Sequence, residues 1–257
     1  MASKADYIAV IDSGVGGISV LRELVRLMPN ERFLYFGDSA NAPYGTKKPE
    51  EVRALTAATV EWLMTRGIKA LVVACNTATA VAISMLREAY PDFIIIGIEP
   101  ALKPAVTRFP KGSLGVMATP VTLRGDKLKG LMTRYPHPDL HLIPAPGLVE
   151  LVEAGLANSP QMDAFLSPVL GPFAGKLDGL VLGCTHYPFA AAAIRRILGS
   201  QTVLFDGGAG TARQTRRRLS HAGLLHDGPG CVVIENSMDD PHIRKLCETL
   251  LAEEHYG

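Results

Sequence analysis

The sequence predicts an α/β fold built from two pseudo-symmetric, doubly wound domains with largely parallel sheets and a functional site in the cleft between them. Short apolar runs alternate with segments of helical periodicity, a pattern typical of parallel sheets that are covered by helices on both faces. One strand-and-turn pattern from the first half of the chain recurs in the second half. A content of 47% hydrophobic and 20% charged residues is typical of a folded chain rather than a disordered one.

Four apolar runs in the first half predict strands at Tyr7–Ile11, Arg32–Phe36, Ala70–Ala74 and Phe93–Ile98. Helices fill the intervals between them. The first helix follows a glycine-rich turn and ends near Met28. The second helix covers 49–66, because apolar side chains recur there at helical spacing and Gly67 is suited to a left-handed stop. The third helix ends near Tyr90, before Pro91.

The second half repeats this alternation, with strands predicted at Leu114–Ala118, Leu140–Ile143, Leu180–Gly183 and Val203–Phe205 and with helices between them. A further strand at Cys231–Glu235 and a helix near Asp240–Glu253 complete the pattern. The longest charge-free window, 70–86, contains several polar residues and is short for a membrane helix, so we interpret it as a buried strand followed by a helix.

An internal repeat links the two halves. The segment Lys69–Thr77 aligns without a gap with Asp178–His186, and Ile8–Ser13 aligns with Leu114–Thr119 over nearly the same separation. In open parallel sheets, ligands bind at the carboxyl ends of strands, and all four segments include such an end. Two related halves that face each other across a cleft are therefore expected to bring Cys75 and Cys184 together.

Charge and targeting features exclude several classes of function. A net charge of +1 and a pI of 7.7 argue against nucleic acid or an anionic membrane as the main partner. The basic cluster of Arg213, Arg216, Arg217 and Arg218 spreads around a helix and is interpreted as a solvated face. The N-terminus has no apolar core of signal-peptide length, so we expect a cytoplasmic protein with reduced thiols.

A glycine-rich turn, Asp12–Gly17, connects the first strand to the first helix. Its backbone N–H groups and the helix N-terminus suit an anion. Ser19 stands where a dinucleotide fingerprint needs its third glycine, so a small carboxylate ligand fits better than a nucleotide; a purely structural turn is the alternative. Asp38 also follows a strand and precedes the turn-rich segment 42–45, and taken alone it suits a plain turn.

Two cysteines occupy matching positions at strand ends. Cys75 and Cys184 each follow an apolar strand and precede a helix, where the helix dipole and unpaired N–H groups stabilise a thiolate. We therefore expect a lowered thiol pKa, suited to a base near neutral pH. Cys231 begins a strand and Cys247 lies on an apolar helix face, so both are interpreted as structural.

Two matched thiols favour a racemase or an epimerase, since inversion of a carbon centre needs a proton removed from one face and returned to the other. A disulfide redox pair, a zinc site formed by Cys75, Cys184 and His186, and a cysteine hydrolase remain alternatives. His186 and Glu153 are candidate helpers in proton transfer. For His186 the alternative is a structural histidine, and for Glu153 a solvated side chain.

Four motifs together resemble the glutamate racemases of the aspartate/glutamate racemase superfamily: DSGVGG at Asp12–Gly17, GDSANAPYG at Gly37–Gly45, ACNTATA at Ala74–Ala80 and GCTHYP at Gly183–Pro188. The resemblance covers essentially the whole chain. It implies that two cysteines interconvert L- and D-glutamate without a cofactor or metal, and that the product enters bacterial peptidoglycan synthesis. It also implies a homodimer, and a first domain of 1–97 plus 208–257 around a second domain of 98–207.

The resemblance further implies a role for each matching residue. Cys75 works on the α-proton of D-glutamate and Cys184 on that of L-glutamate, with Asp12, His186 and Glu153 as helpers. The implied substrate-binding residues are Asp12, Ser13, Asp38, Pro43, Tyr44, Gly45, Asn76, Thr77, Thr119, Thr122, Thr185 and His186.

Two positions and one segment depart from the family pattern: Val121 where glycine is usual, Ala145 where cysteine is common, and Asp206-Gly207-Gly208 in place of a late Asp-Ser segment. None of these changes removes a proposed catalytic group, so we expect activity. A racemase for aspartate or a related small acid is the alternative, but His186 and the 43–45 segment favour glutamate. A regulatory binding protein on the same fold is a further alternative, and contact with nucleic acid or DNA gyrase is not expected.

Overall fold

The computed structural model describes residues 2–253. Its strands are β1 (Tyr7–Asp12), β2 (Arg32–Gly37), β3 (Ile68–Val73), β4 (Ile94–Gly97), β5 (Leu114–Ala118), β6 (Leu140–Pro144), β7 (Gly179–Leu182), β8 (Val203–Asp206) and β9 (Cys231–Asn236). Its α-helices are α1 (Ile18–Leu27), α2 (Pro49–Met64), α3 (Asn76–Ala89), α4 (Leu102–Arg108), α5 (Pro120–Arg124), α6 (Asp126–Arg134), α7 (Leu148–Glu153), α8 (Pro160–Leu170), α9 (Ala191–Leu198), α10 (Gly208–His221) and α11 (Pro241–Ala252). Every strand predicted from the sequence is present.

Within the described residues, the strands form two parallel sheets with helices between the strands. The first has five strands in the order β4–β3–β1–β2–β9, and the second has four in the order β6–β5–β7–β8. Read in the opposite direction, the second sheet repeats the order of the first, with β5 to β8 in the places of β1 to β4. This shared order confirms the prediction of two pseudo-symmetric α/β halves.

The shared topology places the sequence motifs at equivalent strand ends. Cys75 lies two residues beyond β3, and Cys184 lies two residues beyond β7. Asp12 ends β1, and Thr119 directly follows β5. Since β3 and β1 are neighbours in one sheet, as β7 and β5 are in the other, each sheet presents its cysteine beside a polar residue at its carboxyl edge.

The C-terminal segment returns to the first sheet. Strand β9 pairs with β2 in parallel, α10 packs against α1 and β4, and α11 packs against α1. The central strands β1, β3, β5 and β7 are buried because helices cover both faces of each sheet, which explains their nearly continuous hydrophobic sequences. The edge strands β6, β8 and β9 are partly exposed. No helix within residues 2–253 is long and apolar enough to cross a membrane.

A buried ion pair lies near the amino ends of the strands, away from the motifs. Lys69, in β3, places Nζ 2.6 Å from Glu31 Oε2 and 3.0 Å from the carbonyl oxygen of Leu224. Glu31 Oε1 accepts from the backbone N–H of His226 at 2.9 Å. Both charged side chains are almost fully buried, and their hydrogen bonds offset the cost of removing them from water.

Candidate active site

The glycine-rich turn between β1 and α1 is shaped by two side chains from the second half of the chain. A Cβ atom on Gly14 would lie 1.9 Å from Glu153 Oε1, and one on Gly16 would lie 2.2 Å from His186 Nδ1. Neither site has room for a larger residue, because Glu153 and His186 fill the space. The glycines thus allow the two halves of the chain to meet closely at this turn.

The N–H groups of this turn bind carboxylates of the protein itself. The Gly14 N–H donates to Asp12 Oδ1 at 3.1 Å, and the Val15 N–H donates to Glu153 Oε1 at 2.8 Å. The sequence predicted that the turn holds the carboxylate of a ligand. The turn does have the anion-binding character that its sequence suggests, but these two donors are engaged internally.

Cys184, His186 and Glu153 form a continuous chain of polar contacts. Cys184 Sγ lies 3.7 Å from His186 Nδ1, and His186 Nε2 lies 2.6 Å from Glu153 Oε1. Burial lowers the pKa of His186, but its hydrogen bonds to Cys184 and Glu153 and their charges outweigh burial and raise that pKa well above its usual value. These partners favour the protonated imidazolium, which is held between a sulfur and a carboxylate.

Asp12 is buried beside this chain of contacts. Its Oδ2 accepts from Thr185 Oγ1 at 2.9 Å. Burial, together with the charge of Glu153, raises the pKa of Asp12 to about 6, although His186, Thr185 and the Gly14 N–H act in the opposite direction. Asp12 can thus gain or lose a proton close to neutral pH.

Cys75 has a different environment. It caps the N-terminus of α3, where Sγ accepts from the Ala78 N–H at 3.4 Å, and it lies 3.6 Å from Ser13 Oγ. Burial and the charge of Asp12 raise the pKa of Cys75 to about 12, and the charge of Cys184 adds to this effect. The expectation of a lowered pKa is wrong for Cys75, because desolvation and like charge outweigh the hydrogen bonds at the helix terminus. Cys75 is therefore a thiol at neutral pH.

A cluster of hydroxyl groups joins the two halves of the chain at the site. Thr77 Oγ1, at the start of α3, lies 3.1 Å from Thr119 Oγ1, which lies 3.0 Å from Thr122 Oγ1. Gly45 is packed against Thr119, since a Cβ there would lie 2.7 Å from the threonine Cβ. The sequence-predicted segment 43–45 and the three threonines are thus brought together.

Other predicted residues lie around Cys75. Tyr44 and Asp12 line a cavity of about 10 Å³ next to the thiol. Asp38 contacts Tyr44: its Oδ2 accepts from the Tyr44 hydroxyl at 2.6 Å, and both of its carboxylate oxygens accept from Asn41. Asn76 Oδ1 is buried, with no hydrogen-bond partner among the described residues. It is an acceptor available to a ligand.

The residues that depart from the family pattern, Val121, Ala145 and the segment 206–208, lie in turns whose hydrogen bonds are intact. Thr119 Oγ1 accepts from the Thr122 N–H at 3.3 Å across the turn that contains Val121. The carbonyl of Ala145 accepts from the Tyr187 hydroxyl at 3.3 Å, and Asp206 Oδ1 accepts from the Gly208 N–H at 2.6 Å.

The remaining cysteines lie apart from the paired thiols. Cys231 is exposed at the start of β9, and Cys247 is buried in α11. All four cysteines are free. The part of the chain that the structure describes contains no group of three side chains suited to hold a metal ion.

Two residues that support the site, Ser19 and Tyr35, are not predicted as site residues from the sequence. Ser19 Oγ lies 2.9 Å from the carbonyl oxygen of Thr185, across the two halves. Tyr35, buried in β2, donates its hydroxyl to the carbonyl of Gly14 at 2.5 Å. Tyr35 stands in an apolar strand, so its sequence context suggests only a core residue. Ser19 stands out in the sequence only because it occupies the position of the third fingerprint glycine.

The family model described as Asp/Glu/Hydantoin racemase matches residues 8–215. The chain belongs to this family. It is 48% identical over 249 residues to a glutamate racemase of Clostridium novyi, covering 95% of this chain and 96% of the relative. The protein is a racemase, and the two-halved fold is the one that its relatives share.

Two solved structures support the same conclusion. The glutamate racemase isoform RacE1 of Bacillus anthracis superposes with a TM-score of 0.87 at 32% identity, covering 98% of this chain and 96% of that one. The Escherichia coli glutamate racemase, solved with L-glutamate and the activator UDP-MurNAc-ala, gives a TM-score of 0.86 at 31% identity, covering 95% of this chain and 94% of that one.

Proposed function

We propose that the protein interconverts L- and D-glutamate by proton transfer between the substrate and two thiols, Cys75 and Cys184, with no cofactor. The observation that carries this proposal is the matched placement of the two cysteines beyond β3 and β7, with different partners around each sulfur. Relatives named glutamate racemase, and one solved with L-glutamate, support glutamate as the substrate.

In the L-to-D direction, the thiolate of Cys184 removes the α-proton of L-glutamate and leaves an electron pair on Cα. The S–H of Cys75 then gives its proton to the opposite face, which yields D-glutamate and a Cys75 thiolate. The reverse direction exchanges these roles. The imidazolium Nδ1–H of His186 faces Cys184 and can hydrogen-bond to its thiolate form, while the raised pKa keeps Cys75 protonated and ready to donate.

We propose that substrate carboxylates are held by hydroxyl and N–H donors at the carboxyl edges of the two sheets. Ser13, Thr77, Thr119 and Thr122 supply hydroxyls, Thr185 supplies one when it turns away from Asp12, and the start of α3 supplies backbone donors. The unpartnered Oδ1 of Asn76 suits the substrate ammonium group. The cavity beside Cys75 holds no more than a water molecule, so we expect the two halves to separate when glutamate enters.

We infer that D-glutamate formed here supplies peptidoglycan synthesis in the cytoplasm, and that the chain acts as a homodimer. We also propose domain limits of 1–97 plus 208–257 and of 98–207; residue 1 and residues 254–257 lie outside the described part of the chain. Sedimentation velocity tests the dimer, and an s-value of a single chain at micromolar concentration contradicts it.

The test of the substrate and the thiols is a circular dichroism assay with L-glutamate and with L-aspartate. The wild type is expected to bring the L-glutamate signal to zero. Cys75→Ser and Cys184→Ser should each lower kcat/KM by roughly 10²–10⁴-fold, the usual contribution of a general acid or base. The matched control is Cys231→Ser, an exposed cysteine at the start of β9, which should be unaffected. Faster turnover of aspartate than of glutamate overturns the proposal that glutamate is the substrate. An active serine variant at Cys75 or at Cys184 overturns the two-thiol mechanism.

A further inference from the structure

One peptide unit connects a buried tyrosine to the Cys184 side of the site. The carbonyl of Gly14 accepts from the Tyr35 hydroxyl at 2.5 Å, and the N–H of Val15 donates to Glu153 Oε1 at 2.8 Å. These two groups belong to the same peptide plane. Because a peptide unit is rigid and planar, holding its C=O also fixes the direction of its N–H.

Tyr35 is suited to hold this plane. Its side chain is fully buried in β2, and burial, with the nearby charge of Asp12, raises its pKa well above the usual value. The phenol therefore remains a hydrogen-bond donor throughout the range in which an enzyme works. The fit around it is close, since a Cβ on Gly17 would lie 3.0 Å from the Tyr35 hydroxyl.

Glu153 is held by this N–H and by His186. Its Oε1 accepts both from Val15 N–H and from His186 Nε2, at 2.8 and 2.6 Å. Its other oxygen, Oε2, has a longer contact of 3.5 Å with Ser39 Oγ. The peptide N–H is thus a short, directional contact that places the carboxylate against His186.

We propose that Tyr35 is a positioning residue for the Cys184 half of the reaction, acting through the 14–15 peptide unit, Glu153 and His186. This inference rests on the proposed two-thiol function. The contacts of Cys75 Sγ with Ser13 Oγ and the Ala78 N–H lie outside this series of contacts. Loss of the Tyr35 hydroxyl is therefore expected to slow proton transfer by Cys184 and to leave proton transfer by Cys75 unchanged.

Racemisation cannot separate the two thiols, because every turnover uses both. An elimination reaction can separate the two thiols, because it needs only the thiol that removes the α-proton from one face of the substrate. When a thiolate removes the α-proton of 3-chloroglutamate, chloride leaves from Cβ and an enamine forms. Tautomerisation and hydrolysis with one water then give 2-oxoglutarate, ammonia and chloride. The L-analogue reports on Cys184 and the D-analogue on Cys75, an assignment that Cys184→Ser and Cys75→Ser check directly.

Tyr35→Phe should slow elimination from the L-analogue by about tenfold, the rate equivalent of one lost hydrogen bond. It should change the rate of elimination from the D-analogue by less than about twofold. Tyr7→Phe is the matched control. Its hydroxyl accepts from Arg32 at 3.0 Å at the other end of the first sheet, and it should leave both rates unchanged. Equal losses with both analogues, or no loss with the L-analogue, overturn the positioning role.

A double-mutant cycle tests whether the effect passes through Glu153. In a Glu153→Gln background, Tyr35→Phe should add less than about twofold to the loss with the L-analogue. A full additional tenfold loss shows that Tyr35 acts by another route. If Tyr35→Phe does not fold, Glu153→Gln alone must reproduce the L-selective loss, and equal losses overturn the proposal. Wild-type protein that eliminates neither analogue contradicts the proposed function instead.

Discussion

Gly16→Ala tests the close approach of the two halves at the proposed site. The added methyl group would lie 2.2 Å from His186 Nδ1 and 2.5 Å from Cε1, whereas ordinary contact begins near 3.4 Å. The imidazole must therefore retreat by about 1 Å. A displacement of that size at a reacting group costs about 10²-fold in rate, so kcat/KM should fall by that factor. The overpacked site should also lose about 1–3 kcal/mol of stability.

The assay is glutamate racemisation followed by circular dichroism, with the melting temperature measured in parallel. L- and D-glutamate are equally stable in water, so the loss of kcat/KM must be the same in both directions. Gly130→Ala is the control, because a Cβ there meets nothing within 4 Å in α6, and alanine should stabilise the helix by roughly 0.5–1 kcal/mol. A Gly16→Ala enzyme within threefold of wild type refutes this placement of His186.

Three further outcomes follow from buried ionisable groups. Because the pKa of Asp12 is about 6 in the folded protein against 3.8 in the unfolded chain, between these pH values only the folded protein binds this proton. The contribution of Asp12 to stability should therefore fall by up to about 3 kcal/mol as pH rises from 4 to 6, and Asp12→Asn should remove this fall in urea titrations. Iodoacetamide at pH 8 should label Cys231 and spare Cys75 in the native protein, because Cys231 is exposed and the pKa of Cys75 is about 12. Mass spectrometry measures the labelling, and prompt labelling of Cys75 contradicts its burial. Lys69→Met leaves Glu31 buried without its ion-pair partner, so it should cost about 3–5 kcal/mol of stability while kcat/KM at low temperature stays within twofold. An unchanged melting temperature argues against the buried pair.

Most of the fold could be predicted from the sequence because both sheets are parallel and their central strands are buried. Such strands must be apolar along their whole length, so Ala70–Ala74 and Leu180–Gly183 stood out and lie within two residues of the observed β3 and β7. The aligned cysteine segments also predicted which strands are equivalent. That prediction succeeded because a repeat of sequence in two halves preserves the order of strands in each sheet.

The electrostatics of the site were harder to predict. The start of a helix is visible in sequence, but burial and the charge of Asp12 are not, and these decide the pKa of Cys75. The space around Gly14 and Gly16 is filled by Glu153 and His186, which are distant in the chain. A glycine-rich turn shows that something approaches closely, while only the fold shows which side chain it is.

The most direct test of the two-thiol account is the position of deuterium early in the racemisation of L-glutamate in D₂O. The account predicts that newly formed D-glutamate contains deuterium at Cα, because Cys75 delivers a solvent-derived proton. Unreacted L-glutamate should retain its original proton, because Cys184 removes that proton only on the way to product. Deuterium that appears in unreacted L-glutamate as fast as in the product contradicts two separate thiols and indicates a single base that serves both faces.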